Sequence, residues 1–319
     1  MAVSDQKIGT TFSYLETKNL GLDWQETLAA ILKLGLNPIR IGTYWSEIEK
    51  SPGKFDYSLQ DKIIEQISKT KTEIILQVGM KAPRWPEFYL PQWLEKKINF
   101  KRRQTISEPV VNNHLFRFLK KTIKRYEKYK SIQWLNIENE PLTYSGPGKL
   151  RIAPSLLEKE VKLANHLSNK PIILNSWTEI NPLKRSTKNK LWRENSIKTC
   201  LELGNTLGLS AYPKYPGQLK VIKKHWQFLG EWLRKANLKG KDAWITELQA
   251  EPWEKSDDLK NFKEPFGNQS CNPNDVEAYL KICQNLGFKT ILLWGAEFWY
   301  RCLKEGNQQW WQAITRNRA

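Results

Sequence analysis

Residues 133–141 read Gln133-Trp134-Leu135-Asn136-Ile137-Glu138-Asn139-Glu140-Pro141. A short apolar run that closes on carboxylates and a proline reads as a buried strand carrying acidic groups at its carboxyl end. Seven other short runs share its apolar, β-branched character: Ile8 to Ser13, Pro38 to Trp45, Glu73 to Ala82, Pro171 to Trp177, Leu207 to Tyr215, Ala243 to Trp253 and Ile291 to Tyr300. Their starts are spaced by 30 to 60 positions, and nearly every gap holds one amphipathic stretch long enough for a helix. Strands alternating with helices require right-handed crossovers and a parallel sheet, and eight such units close into a barrel. The expectation is therefore an α/β chain built as a single (β/α)8 TIM barrel over residues 1–319, with no composition shift to mark a boundary.

Local signals agree. Asp23 with Glu26 forms a helix-starting pair, and Gly35 ends that helix before the second strand. Asn272-Pro273 starts another, which runs to Leu286-Gly287. The widest gap, residues 83–111, is proline-punctuated, and a long loop in a compact domain is usually functional.

Composition removes several classes. The chain carries 51 basic and 33 acidic side chains, a net charge of +18, and 15 tryptophans, which excludes a disordered segment. No apolar run reaches the length of a membrane helix, and the first residues lack a basic segment followed by an apolar one, so a cytoplasmic protein is expected. Cys200, Cys271, Cys283 and Cys302 have no CxxC spacing, and His114, His166 and His225 are isolated, so neither a disulfide framework nor a metal site is expected. The sequon at Asn268 matters only in a secreted protein. Basic clusters at Lys96-Lys97, Lys101-Arg102-Arg103, Lys120-Lys121, Lys124-Arg125 and Lys223-Lys224 raise the question of nucleic acid. Leu115, Phe118, Leu119, Ile123 and Tyr126 recur at helical spacing, so the neighbouring lysines read as a solvated outer face.

Polar residues at the carboxyl ends of barrel strands point into the site. The fourth strand ends in Asn139-Glu140-Pro141 and the seventh in Ile245-Thr246-Glu247-Leu248. Two carboxylates converging across a barrel mouth suit glycosidic cleavage, which needs a proton donor for the leaving oxygen and an anion against the oxocarbenium-like centre.

These two motifs resemble the signatures of glycoside hydrolase clan A, the retaining (β/α)8 hydrolases. Arg40 in Ile39-Arg40-Ile41, then Trp45, Ile48-Glu49, Pro52-Gly53 and Phe55-Asp56, resemble its β-galactosidase and β-glucosidase branches, with a further likeness to family 5 cellulase-like enzymes. Tyr212 resembles the clan's nucleophile-binding tyrosine and Trp294 its sugar-platform tryptophan. The resemblance implies Glu140 as general acid/base, Glu247 as nucleophile, Asn139 toward the sugar 2-hydroxyl, and no cofactor. Arg40 and the Tyr212 hydroxyl are expected near Glu247, holding it ionised, and a retaining pair stands about 5 to 5.5 Å apart.

Trp45, Trp85, Trp177, Trp253, Trp294 and Trp299 fall at or just beyond strand ends, where pyranose faces could stack. Glu16 and Glu297 could accept hydrogen bonds from sugar hydroxyls or form surface ion pairs. Lys81, ending the third strand where many clan relatives carry a histidine or neutral polar group, could pair with Glu140, bind a carboxylated sugar or form a Schiff base. The expected partner is a glycoside, oligosaccharide or polysaccharide, with neither membrane nor nucleic acid. A transglycosylase using the same glutamates and a catalytically silent carbohydrate-binding barrel remain as alternatives, and the sugar, linkage and oligomeric state are not readable.

Overall fold

The computed structural model describes residues 6–98, 100–107, 109–178, 187–214, 223–253 and 270–317. Among these residues ten strands form: β1 (Lys7–Phe12), β2 (Ile39–Gly42), β3 (Ile74–Val78), β4 (Thr105–Ile106), β5 (Ile132–Ile137), β6 (Arg151–Ile152), β7 (Ile172–Trp177), β8 (Thr206–Ala211), β9 (Asp242–Gln249) and β10 (Thr290–Trp294). Eight of them make a closed barrel in the order β1-β10-β9-β8-β7-β5-β3-β2, and β4 pairs β6 in a separate two-stranded sheet. All eight expected strands are present, and all but β7, which ends at Trp177 as expected, stop earlier than the apolar run that announced them. The last run shows why: Ile291 to Tyr300 is strand only to Trp294, and Ala296–Lys304 is helix.

The packing divides into two compact units. One comprises Met1–Ile39, Thr178–Arg185 and Leu209–Ala319, and the other Arg40–Trp177 and Ser186–Gly208. In the first, β1 pairs in parallel with β10 and β10 with β9, with a register shift between Ile291 and Leu293. In the second, β3 pairs β5 residue by residue from Ile75↔Trp134 to Val78↔Ile137. Strand β3 is buried at every position, which is why it reads as a continuous apolar run instead of alternating.

The helix-start signals hold. Asp23 accepts from the Glu26 N–H at 2.8 Å and starts the helix Trp24–Lys33. Asn272 and Asp275 form a reciprocal capping box on Pro273–Leu286, which ends on Gly287 at φ 94°. Helix Pro109–Tyr126 buries Leu115, Phe118, Leu119, Ile123 and Tyr126 and exposes Lys120, Lys121 and Lys124. The long 83–111 connection carries structure of its own, with helix Gln92–Ile98 and strand β4. All four cysteines are free and buried, and burial pushes the thiols of Cys200 and Cys302 up to about 12. The Asn268 sequon lies outside the described residues. Among those described, no helix is long and apolar enough to cross a membrane.

Candidate active site

In the unit built on Arg40–Trp177, Glu140 lies three residues past β5 and is 6 % exposed. The segment that carries it is strained: Glu138 and Glu140 take left-handed φ values of 59° and 46°. Non-glycine residues are uncommon there, and such strain persists only where surrounding contacts over-determine it. Those contacts are on hand. Asn175, from β7, accepts from the Glu140 N–H at 3.2 Å and donates to Asn139 Oδ1 at 2.9 Å. Arg40 Nη1 donates to Asn136 Oδ1 at 3.3 Å and to Asn139 Oδ1 at 3.2 Å. The Asn139 side-chain carbonyl is thereby held between two donors.

Lys81 is fully buried, and its Nζ donates to the carbonyls of Glu140 at 2.7 Å and Thr143 at 3.3 Å, with Glu87 at 3.4 Å. This corrects the expectation of a substrate-facing amine: the ammonium braces the turn after Glu140, and it meets that residue's backbone oxygen. A histidine is shorter and has at most two ring N–H donors; the lysine reaches both carbonyls.

Glu138, two residues earlier, is fully buried and accepts from the N–H groups of Met80 at 2.9 Å and Lys81 at 2.6 Å. Its carboxyl occupies space that Gly79 leaves open; a Cβ at that glycine, which sits at φ 147°, would lie 2.3 Å from the carboxyl carbon. Glu160, buried on helix Pro154–Leu167, meets the Glu138 carboxyl, and no other described donor reaches its oxygens. Burial pushes Glu138 up to about 8, against the pull of the two N–H donors and Lys81. Burial and the neighbouring Glu138 raise Glu160 well above the usual carboxylate range. Neither glutamate carries a sequence signal that separates it from Glu140 or from a surface acid.

In the other unit, Glu247 lies within β9 and is 4 % exposed. The Tyr212 hydroxyl, one residue past β8, donates to Glu247 Oε2 at 3.0 Å, the contact expected from the sequence. Trp253, 42 % exposed, packs its ring 5.4 Å from that of Tyr212, and its backbone N–H donates to Ser270 Oγ at 2.6 Å. Trp294 is half-buried at the end of β10. Glu16 is half-buried on helix Tyr14–Asn19 and accepts from Asn19 at 3.1 Å.

Three expected sugar contacts belong to the interior. Trp45 starts a short helix, is fully buried, stacks on Phe118 at 5.3 Å and donates from Nε1 to Glu49 Oε2 at 2.7 Å. Glu49 is itself a buried hub, also accepting from the Gly53 N–H at 2.7 Å and from Arg117 at 2.5 Å. Trp299 is buried on helix Ala296–Lys304 and donates to the Ala250 carbonyl at 2.6 Å. Glu297, on the same helix, is also buried and accepts from the Ser13 N–H at 2.5 Å, tying that helix to the end of β1. Strand-end position was the signal for a sugar contact at these residues, and in each case the strand stops before them. Trp177 closes β7 half-buried, and Trp85, 65 % exposed, stands in the connection after β3.

Comparison with known proteins agrees with this architecture. The family model for glycoside hydrolase family 42 β-galactosidases matches residues 16–146. The β-galactosidase bgaB of Geobacillus kaustophilus is 23 % identical over 128 residues, covering 37 % of this chain and 19 % of that protein. The cold-adapted β-galactosidase from Rahnella sp. R3 superposes with a TM-score of 0.66 at 10 % identity, covering 99 % of this chain and 57 % of that one. The exo-β-1,4-mannosidase from Opitutaceae bacterium strain TAV5 gives 0.59 at 11 % identity, covering 91 % and 51 %. The chain thus spans about half the length of these solved relatives and a fifth of the curated one. Over residues 16–146 the chain is thus similar to family 42 β-galactosidases, and its barrel is similar to those of solved β-galactosidases and a β-mannosidase.

Proposed function

We propose that the chain is a glycosidase that hydrolyses β-O-glycosyl bonds by double displacement, with Glu247 as nucleophile and Glu140 as general acid/base. The observation that carries this reading is that two barrel strands, β5 and β9, each deliver one nearly buried glutamate at the carboxyl end, with unlike partners. Glu247 holds a phenolic donor on one carboxyl oxygen, which aims the group for attack. Glu140 is positioned through its backbone, by Asn175 on its N–H and Lys81 on its carbonyl, while Asn139 beside it is fixed by Arg40 and Asn175.

In the first step, Glu247 attacks the anomeric carbon and Glu140 protonates the departing oxygen. In the second, Glu140 takes a proton from water, which displaces Glu247 and restores the starting configuration. The substrates that come first are β-galactosides and β-mannosides, because solved relatives carry those names.

The test is azide rescue on 4-nitrophenyl β-glycosides of galactose, mannose, glucose, xylose and glucuronic acid. Glu140→Ala with azide is expected to regain turnover and release the β-glycosyl azide, and Glu247→Gly to give the α-glycosyl azide. Wild-type turnover that survives both substitutions, or a wild-type hydrolysis product of inverted configuration, overturns the assignment.

A further inference from the structure

The segment following Glu140 carries a cluster that the proposed chemistry does not use. Thr143 N–H bonds back to the Glu140 carbonyl at 3.0 Å, and Tyr144 comes next, four residues from Glu140. Four residues span at most about 14 Å fully extended, and this stretch is turned. Two guanidiniums lie against the Tyr144 ring: Arg151 Cζ at 4.5 Å from the centroid and Arg103 Cζ at 5.9 Å. Trp192 stacks on the same ring at 6.4 Å.

The sheet β4–β6 sets this geometry. Thr105 is in register with Arg151, and its hydroxyl accepts from Arg151 Nε at 2.9 Å. Arg103 is pinned through its N–H to the Gly148 carbonyl at 2.8 Å. Residues 100–107 and 142–153 together carry Lys101, Arg102, Arg103, Lys149 and Arg151 and no acidic residue. Among the described residues, neither Arg103 nor Arg151 meets a carboxylate.

Holding two cations within 6 Å of one ring centre costs free energy unless an anion offsets it. Tyr144, Arg151 and Trp192 are half-buried and Arg103 is exposed, so the cluster is open to a ligand. Guanidiniums fixed by a ring and a backbone sheet are pre-organised forks for carboxylate or sulfate, and half-exposed aromatics beside them suit the apolar face of a pyranose.

We infer that the Arg103–Tyr144–Arg151–Trp192 cluster is a subsite for an anionic sugar, carboxylated or sulfated, on the leaving-group side of the scissile bond. The side follows from the assignment of Glu140 as proton donor, on which this part rests: the turn that continues from the donor borders the oxygen it protonates and the sugar attached to it. A cluster that served only as a solvated outer face would not need its guanidiniums braced on one ring.

The test uses three probes of matched length: β-1,4-linked mannuronate oligosaccharide, sulfated carrageenan oligosaccharide and neutral β-1,4-mannan oligosaccharide. Binding is measured by calorimetry at two salt concentrations on wild type, Arg151→Lys and the double variant Arg103→Gln with Arg151→Gln. Wild type is expected to bind one or both anionic probes at least tenfold more tightly than mannan, and the comparison of the two says whether carboxylate or sulfate is preferred. The double variant should lose that margin, and Arg151→Lys should keep only part of it, because lysine retains the charge without the fork. Equal binding of all three probes, or an anionic preference unchanged in the double variant, overturns the subsite. An RNA of equal charge that binds wild type as tightly as the anionic glycans also overturns it. Turnover of neutral aryl β-glycosides by wild type reports separately on the glycosidase reading, so the two can fail independently.

Discussion

The buried carboxyl pair Glu138–Glu160 makes a prediction about stability that is independent of any substrate. Both groups are held above the ordinary glutamate value of 4.5: Glu138 at about 8 by burial, and Glu160 by burial and by the neighbouring Glu138. The folded chain therefore keeps a proton that the unfolded chain releases. The stabilising contribution is fully present below pH 4.5 and is lost as pH rises through the folded value. Each retained proton removes about 1.4 kcal/mol of stability per pH unit across that window. Between pH 5.5 and 7.5 one retained proton lowers stability by about 3 kcal/mol, which for a chain of this size is a fall in melting temperature of about 4 to 5 °C. The perturbation is Glu138→Gln combined with Glu160→Gln. The amides keep the shape of the pair, and an amide oxygen can still accept from the Met80 and Lys81 N–H groups, but nothing is left to titrate. Calorimetric melting at half-unit pH steps should show a steep decline in wild type and a slope shallower by that amount in the variant. Other titrating groups are common to both proteins and cancel in the difference. Parallel curves between pH 5 and 8 would refute the shared-proton reading and mean that the pair titrates at ordinary values.

Glu49→Ala leaves Arg117 without its buried partner and orphans the Trp45 and Gly53 donors, so unfolding should become easier by about 3 to 5 kcal/mol, read by chemical denaturation. Gly79→Ala puts a methyl group into the Glu138 carboxyl and should cost at least about 1 to 3 kcal/mol by the same measurement; wild-type stability would contradict the described cradle. Tyr212→Phe removes the 3.0 Å hydrogen bond to the Glu247 carboxyl, about 1.5 to 3 kcal/mol. If Glu247 is the nucleophile, kcat/KM on an aryl β-glycoside should fall roughly 10- to 150-fold with melting little changed, and an unaltered rate would remove Tyr212 from the machinery.

Much of the barrel was legible because its strands are buried on both faces and therefore stand out as compact apolar runs; β3 is the plainest case. The helix starts at Asp23 and Asn272 were legible because capping is local chemistry within three residues. Strand ends were not, since apolar character continues into the next helix when that helix is also buried. Trp299 and Glu297 were misplaced for this reason. Lys81 was recognised as unusual, but its partners lie about sixty residues away and come from a turn whose path no local pattern encodes. The Glu138–Glu160 pair was invisible on the same grounds, because one carboxyl beside another is a fact of packing. The Tyr212–Glu247 contact was anticipated only through family resemblance, the residues being 35 positions apart.

The four enclosed cysteines have a practical consequence. At neutral pH a thiol with a pKa near 12 is ionised in about one molecule in 10^5, and a reagent cannot reach it without the chain opening. A fifth cysteine placed on the solvent side of helix Pro109–Tyr126, at Lys121 for instance, will accept a maleimide dye alone, with no need to strip the native sulfurs first. Labelled in this way, the protein becomes its own fluorescent reporter.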